Sequence, residues 1–206
     1  MKSGWIIIGA GGHAGVVIDA IVSKDETVAG ILDDLHSIGS CRHGYQVLGK
    51  SDDWKGILQP TFIAIGDNAG REEVFMRIIT VKDIFENVRH KTAVVGGYKP
   101  DMCFGTYFGA NSVVGPNCDI GAFCIVNTGA ILEHDSVLGD FSHLCPGVVT
   151  GGRVKIGSRT FVGVGACIRD GVTIGDNCTI GMGAVVTKSI PDNCKAWGNP
   201  ARIIKR

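Results

Sequence analysis

The stretch Val162-Gly163-Val164-Gly165-Ala166-Cys167-Ile168-Arg169-Asp170-Gly171-Val172-Thr173-Ile174-Gly175-Asp176-Asn177-Cys178-Thr179-Ile180-Gly181 decides the fold. An aliphatic residue returns every six positions, at Val162, Ile168, Ile174 and Ile180, and glycine follows three of those four. The register extends from Phe108 to Val186 without a slip: fourteen positions, twelve of them Ile, Leu or Val. Glycine follows the anchor at nine of the fourteen. Four residues after the anchor the side chain is small or β-branched, as at Ser112, Cys118, Cys124, Ala130 and Ser136.

A six-residue period suits neither an α-helix nor a flat sheet. It suits a solenoid with triangular coils, one hexapeptide per side. The anchor fills the interior, the small residue fits the corner, and glycine is expected to let the backbone bend. A coil then holds 18 residues, so residues n and n+18 stack on neighbouring coils. A β-sandwich with glycine-rich turns would not hold such a register. The reading is a left-handed parallel β-helix.

The N-terminal half reads differently. Trp5 to Ile8 is a buried strand that runs into Gly9-Ala10-Gly11-Gly12-His13-Ala14-Gly15 and then an apolar helix face from Val16 to Val22. A second strand is expected at Thr27 to Leu32, ending in Asp33-Asp34. A third, Thr61 to Ile65, ends in Gly66-Asp67-Asn68 and precedes a helix over Arg71 to Ile79. This is the β-α-β start used for nucleotides, in which phosphate approaches backbone N–H groups at a helix N-terminus. Gly9-x-Gly11-x-x-Ala14 matches the dinucleotide fingerprint. The unit ends near residue 88, too short for a second mononucleotide half, so a nucleotide-sugar fits better. The organisation is therefore a Rossmann-like domain over 1–88 and a β-helix with a C-terminal tail over 89–206. Residues 88 to 107 are the handover, with no flexible linker, so the halves should pack rigidly.

Composition bounds the function. Lys plus Arg and Asp plus Glu each count 20, which argues against nucleic acid as the main partner. No apolar run reaches the length of a membrane span. Ile6-Ile7-Ile8 is too short for a signal-peptide core, which predicts a cytoplasmic protein. The eight cysteines contain no C-x-x-C pair, so no metal is expected. Cys118, Cys124, Cys167 and Cys178 fall inside the repeat and read as small fillers of a narrow core.

The repeat breaks its rule at Leu132-Glu133-His134-Asp135, where Glu133 replaces the glycine. Such breaks are where function is expected. Acyl transfer needs a base and a donor for the oxyanion, and His134 suits the base. Asp135 could orient its imidazole only if the backbone turns there, because neighbouring strand side chains point to opposite faces. Glu133 is the alternative orienter. One coil on from His134 is Gly152, whose backbone is a candidate oxyanion donor. His143 follows half a coil later, in the same groove or a neighbouring one.

The hexapeptide array, the Gly-Ala-Gly-Gly-His-Ala start, the Glu-His-Asp and Phe-Ser-His segments and the Gly198-Asn199-Pro200-Ala201-Arg202 tail together resemble the sialic-acid O-acetyltransferase-type (NeuD-like) acetyltransferases. That family includes N-acetyltransferases of nucleotide-linked 4-amino-4,6-dideoxy sugars. The resemblance covers essentially the whole chain. It implies a homotrimer with active sites between adjacent β-helices, and acetyl-CoA as the donor. It implies His134 as catalytic base, with Asp135 raising its basicity. Gly11, Gly12 and His13 would line the pyrophosphate, with Asp33, Asp34 and Gly66 around the nucleoside. His143 and Gly152 would contact acetyl-CoA near the thioester, and the backbones at Val164 and Met182 would line the pantetheine groove. Met182 departs from the glycine common at its position. The leading expectation is N-acetylation of a nucleotide-activated amino-deoxy sugar. The alternatives are O-acetylation of sialic acid or a related sugar, and a non-catalytic nucleotide-sugar-binding β-helix.

Overall fold

The computed structural model describes residues 4–54, 58–78, 85–96 and 104–205. In the N-terminal half, β1 (Trp5–Ile8), α1 (Gly12–Val22), β2 (Val28–Leu32), β3 (Cys41–Arg42), β4 (Tyr45–Gly49), β5 (Thr61–Ile63) and α2 (Asn68–Ile78) follow in order. They form one sheet in the order β3-β4-β2-β1-β5. β1 pairs in parallel with β2 and β5, β2 with β4, and only β3 and β4 are antiparallel. The run Trp5 to Ile8 is buried throughout, as a central parallel strand covered on both faces must be. The sequence reading missed the β3–β4 hairpin. Helix α2 starts at Asn68, three residues before the expected Arg71; the expected last residue, Ile79, lies outside the described residues.

The C-terminal half is a left-handed β-helix with two-residue strands on three sides. Registers such as Ile125↔His143, Val113↔Ile131 and Asp119↔Val137 put residues 18 apart on adjacent coils. The last coil is tighter: Thr179 pairs with Lys195. The anchors form a continuous buried core from Phe108 to Val186.

Two details of the repeat differ from the reading. The glycine after the anchor does not make the bend. A Cβ on Gly115 would lie 2.7 Å from the backbone N of His134, and one on Gly139 would lie 2.5 Å from that of Ser158. These glycines are there because the next coil's backbone leaves no room for a side chain. The bend is made two residues later, in left-handed backbone at Asn117 (φ 58), Phe123 (φ 53), Asp135 (φ 58) and Gly165 (φ 67), among others. The cysteines also do more than fill space. The buried thiols of Cys118 and Cys124 donate to the carbonyls of Glu133 and Gly139, each at 3.1 Å. Cys167 is exposed on an outer flank, because it occupies the strand position before an anchor rather than the interior corner.

The halves meet along one side of the solenoid. Helix α1 packs on Tyr107 and Ile125, and α2 brings Phe75 against Phe123 and Phe141. Arg71 of α2 is fully buried at this junction. It donates to the carbonyls of Phe123 and Phe141 on consecutive coils, and to Ile65 and Asn68 of its own domain, each at 2.8 Å. A buried guanidinium held by carbonyl dipoles from both halves fixes the β5–α2 loop to the solenoid. The first solenoid strand, β6 (Val88–Arg89), already pairs with Tyr107–Phe108, while Phe85 bridges to Thr61. Contacts of the N-terminal sheet thus reach Phe85 and those of the solenoid begin at Val88; of the expected handover, residues 97–103 lie outside the described residues.

Candidate active site

The glycine-rich turn opens a cavity of about 640 Å³ lined by all six residues expected at the acceptor: Gly11, Gly12, His13, Asp33, Asp34 and Gly66. The fold explains two of the turn's four glycines, Gly9 and Gly15. Gly9 has φ +103, which only glycine adopts readily. Gly15 leaves room for the ring of His43, whose Nδ1 would lie 3.0 Å from a Cβ there. Gly11 and Gly12 have no packing or backbone reason: a Cβ on either meets nothing within 4 Å among the described residues, and neither is left-handed. Their bareness serves no packing purpose and leaves the end of α1 open. Gly11 is the N-cap and makes no side-chain cap, so the positive end of the helix faces the cavity unshielded.

His13 stands on the wall. Its buried Nε2 has no hydrogen-bond partner among the described residues. Such a vacancy costs about 1–3 kcal/mol, which a ligand oxygen would remove. Burial, chiefly, pushes its pKa down to about 3, so the ring is neutral.

The two aspartates differ. Asp33 is buried, and its Oδ2 accepts from Ala10 N at 2.8 Å. Its Oδ1 accepts from Leu35 N and His36 N and faces His36 Nδ1 at 2.6 Å. Burial alone would raise its pKa, but these hydrogen bonds hold it below the usual value. Asp33 thus shapes the turn more than it offers free lone pairs. Asp34 is half-exposed; it accepts from Ser51 N and pairs with Arg77, another wall residue. The spacing of the sequence gave no sign of Arg77.

His134 sits at the corner after Ile131–Leu132, and its side chain is 43% exposed. Its Nδ1 lies 2.7 Å from Asp135 Oδ2. The turn this pairing requires is present, since Asp135 is left-handed. Asn117, one coil earlier, donates to the other carboxylate oxygen at 3.2 Å. The bond from His134, followed by that from Asn117, holds Asp135 below the usual carboxylate pKa. Glu133 does not reach the ring; its Oε2 accepts from the backbone N of His134 at 3.1 Å. With Nδ1–H directed at a carboxylate, Nε2 is left to accept a proton. That atom faces Gly152, where a Cβ would sit 2.5 Å away. The one-coil spacing places Gly152 beside His134, as expected.

His143 is elsewhere. Half a coil is another side of the triangle, so His143 lies in the sheet that faces the N-terminal domain and not in the groove of His134. Both ring nitrogens are engaged: Nδ1 donates to Gly66 O and Nε2 accepts from Asn127 Nδ2, each at 3.1 Å. Burial first, and Arg71 second, push its pKa down to about 4. Its centroid is 6.2 Å from that of His13. Neither Asn127 nor Arg71 was legible as part of this junction from their spacing. Val164 and Met182 are 53% and 81% exposed, at a third location, the corner between the domain-facing sheet and the next side. In one chain, then, the acceptor cavity, His134 and the Val164–Met182 corner are separate. Among the described residues no cluster of His, Cys, Asp or Glu could hold a metal ion, and no helix is long and apolar enough to cross a membrane.

Comparison with known proteins follows these divisions. The family model described as the PglD N-terminal domain matches residues 5–78, and that of the hexapeptide repeat of succinyl-transferase matches 153–188. A solved structure of GDP-perosamine N-acetyltransferase from Caulobacter crescentus, in complex with CoA and GDP-perosamine, is 34% identical. The match covers 100% of this chain and 99% of that one, with a TM-score of 0.90. The acetyltransferase domain of PglB from Neisseria gonorrhoeae, in complex with acetyl coenzyme A, is 30% identical over 97% of this chain and 98% of its own, with a TM-score of 0.86. Among curated proteins, serine acetyltransferase 1 of Arabidopsis thaliana is 37% identical over 99 residues, 43% of this chain. An uncharacterised protein of Acanthamoeba polyphaga mimivirus is 37% identical over 123 residues, 58% of this chain. The matches span only 32% and 24% of the lengths of those two proteins.

Proposed function

As a member of the NeuD-like hexapeptide-repeat sugar acetyltransferases, the chain, we propose, transfers the acetyl group of acetyl-CoA to the amino group of a nucleotide-activated amino-deoxy sugar. The observation that carries this reading is the cavity: an uncapped helix N-terminus behind two glycines whose bareness the fold does not need. A diphosphate fits that field, and a simple hydroxyl acceptor would not use it.

The chemistry falls to His134. The free amine attacks the thioester carbonyl carbon, and the new C–N bond pushes the carbonyl electrons onto oxygen. Nε2 of His134 takes the proton that the nitrogen sheds, and Asp135 stabilises the resulting imidazolium. The backbone N–H of Gly152, beside the base, serves in this reading as the donor to the oxyanion. When the C–S bond breaks, the imidazolium returns its proton to the departing CoA thiolate.

The separation of His134 from the cavity is closed by assembly. On one side of the solenoid the outward positions Val94, Val113, Ile131, Val149, Cys167 and Val185 stack in register, and all are apolar. Val94 and Val149 are 58% and 39% exposed. This stripe runs between the His134–Gly152 corner and the Val164–Met182 corner. A homotrimer that packs on it would bring one copy's base and pantetheine groove to the next copy's acceptor cavity. Any contact of His143 with acetyl-CoA is then made across subunits, by the copy that holds the acceptor. The free thiols, exposed Cys41 and Cys167 included, suit the reducing cytoplasm.

The test is a panel of UDP-, GDP- and dTDP-linked 4-amino sugars with acetyl-CoA, read by thiol release and product mass. An alkali-stable acetyl on nitrogen supports the proposal. An alkali-labile ester on a hydroxyl acceptor supports O-acetylation instead, and binding without thiol release supports a non-catalytic binder.

A further inference from the structure

The turn between β3 and β4 is two residues long, His43-Gly44, and both are left-handed, at φ 48 and φ 83. That is the geometry of a tight hairpin. It carries the His43 ring across to the glycine-rich turn of β1–α1, where Nε2 lies 3.2 Å from the carbonyl oxygen of Ala10 and 3.0 Å from that of Gly11. Both partners are acceptors, so Nε2 carries the proton and donates. In a planar trans peptide the C=O and the following N–H point in opposite directions. A donor that grips the carbonyls of Ala10 and Gly11 therefore turns the N–H groups of Gly11 and Gly12 away from the hairpin, toward the cavity both residues line. The N–H of Ala10 is taken by Asp33, which leaves the next two as the donors to be aimed. Gly15 completes the device: it sits at the fourth position of α1, where glycine favours the helix less than alanine would, and its missing Cβ is the space the His43 ring occupies.

We propose that His43 is a positioning residue for the diphosphate of the nucleotide-sugar: it holds the Ala10 and Gly11 carbonyls so that the Gly11 and Gly12 N–H groups point at the phosphate oxygens. This rests on the reading of the cavity as the nucleotide-sugar site. His43 touches no substrate; it acts through the turn.

Calorimetric titration of the full-length protein with GDP, UDP and dTDP, and with guanosine, uridine and thymidine, separates the possibilities. His43→Ala should weaken the preferred nucleoside diphosphate roughly tenfold, the loss of about one hydrogen bond's worth of orientation, and leave the matching nucleoside unchanged. In turnover, KM for the nucleotide-sugar should rise by a similar factor, with kcat and KM for acetyl-CoA unchanged. His43→Gln, whose amide N–H reaches the same carbonyls, should restore most of the affinity. Gly15→Ala is the second arm, because its Cβ would lie 3.0 Å from Nδ1 and 3.1 Å from Cε1 of His43. It should weaken diphosphate binding without lowering the melting temperature, since alanine suits a helix better. Wild-type diphosphate affinity in His43→Ala, or an equal loss for the nucleoside, overturns the positioning role alone. If the wild-type protein binds none of the diphosphates, the reading of the cavity fails and this role falls with it.

Discussion

Gly152→Ala should disable the base while leaving His134 itself unchanged. A Cβ there would lie 2.5 Å from Nε2 and 2.6 Å from Cε1 of His134, where ordinary contact needs about 3.5 Å. The ring must withdraw by about 1 Å. It is free to do so, being 43% exposed, and Gly152 is not in left-handed backbone. The change in stability should stay within about 0.5 kcal/mol. Withdrawal breaks the 2.7 Å contact with Asp135 and moves Nε2 off its line. A displacement of about 1 Å costs roughly a hundredfold in rate, or about 2.7 kcal/mol of barrier. Alanine keeps the backbone N–H, so an oxyanion-donor role for Gly152 alone predicts no loss. His134→Ala should lower kcat by roughly 10²–10⁴-fold. Adding Gly152→Ala to it should then cost nothing further, because the ring it displaces is gone. The assay is the initial rate of CoA thiol release at saturating acceptor, with melting temperatures alongside. A Gly152→Ala enzyme with wild-type kcat, or a double variant whose losses multiply, would refute the placement of His134 as base.

Three further outcomes are expected. Stability should fall with acid, because burial lowers the folded pKa values of His143 to about 4 and of His13 to about 3 while the unfolded imidazoles titrate near 6.5. The unfolded chain binds more protons below that pH, so this stability is complete above about pH 6.5 and drains away toward pH 4, by up to about 1.4 kcal/mol per unit for each histidine. Urea denaturation across that range should show the slope, and His143→Gln should flatten it. Gly12→Val should raise KM for the nucleotide-sugar at least tenfold with KM for acetyl-CoA and melting temperature unchanged, since a Cβ there meets none of the described residues within 4 Å; equal damage to both substrates would make the loop structural. Val149→Asp, at the middle of the apolar stripe, should lower the light-scattering mass from about three times the 21.7 kDa chain and abolish turnover; an active monomer would place the whole site within one chain.

The sequence by itself determined the solenoid, because a six-residue period is a local rule repeated until no other fold can satisfy it. It also determined that residues 18 apart stack, and so that Gly152 lies by His134. The β-α-β start was legible for the same reason: apolar runs punctuated by glycine and aspartate are local signals. Other features required the tertiary structure. Phe123 and Asp135 make the same left-handed corner as Gly165, so residue type does not reveal where the backbone bends. The glycines after the anchors report a neighbouring coil's backbone, a partner the local sequence does not contain. Spacing left His143 in the groove of His134 or a neighbouring one, until the triangular cross-section put half a coil on a different side. Arg71 and His43 had no periodicity to betray them. Arg71 joins carbonyls 52 and 70 residues away, and His43 reaches back more than 30 residues to the glycine turn. Such contacts follow from how two domains and a hairpin close on one another. A donor's value there is set by which carbonyls the packing leaves facing it, and no spacing along the chain records that.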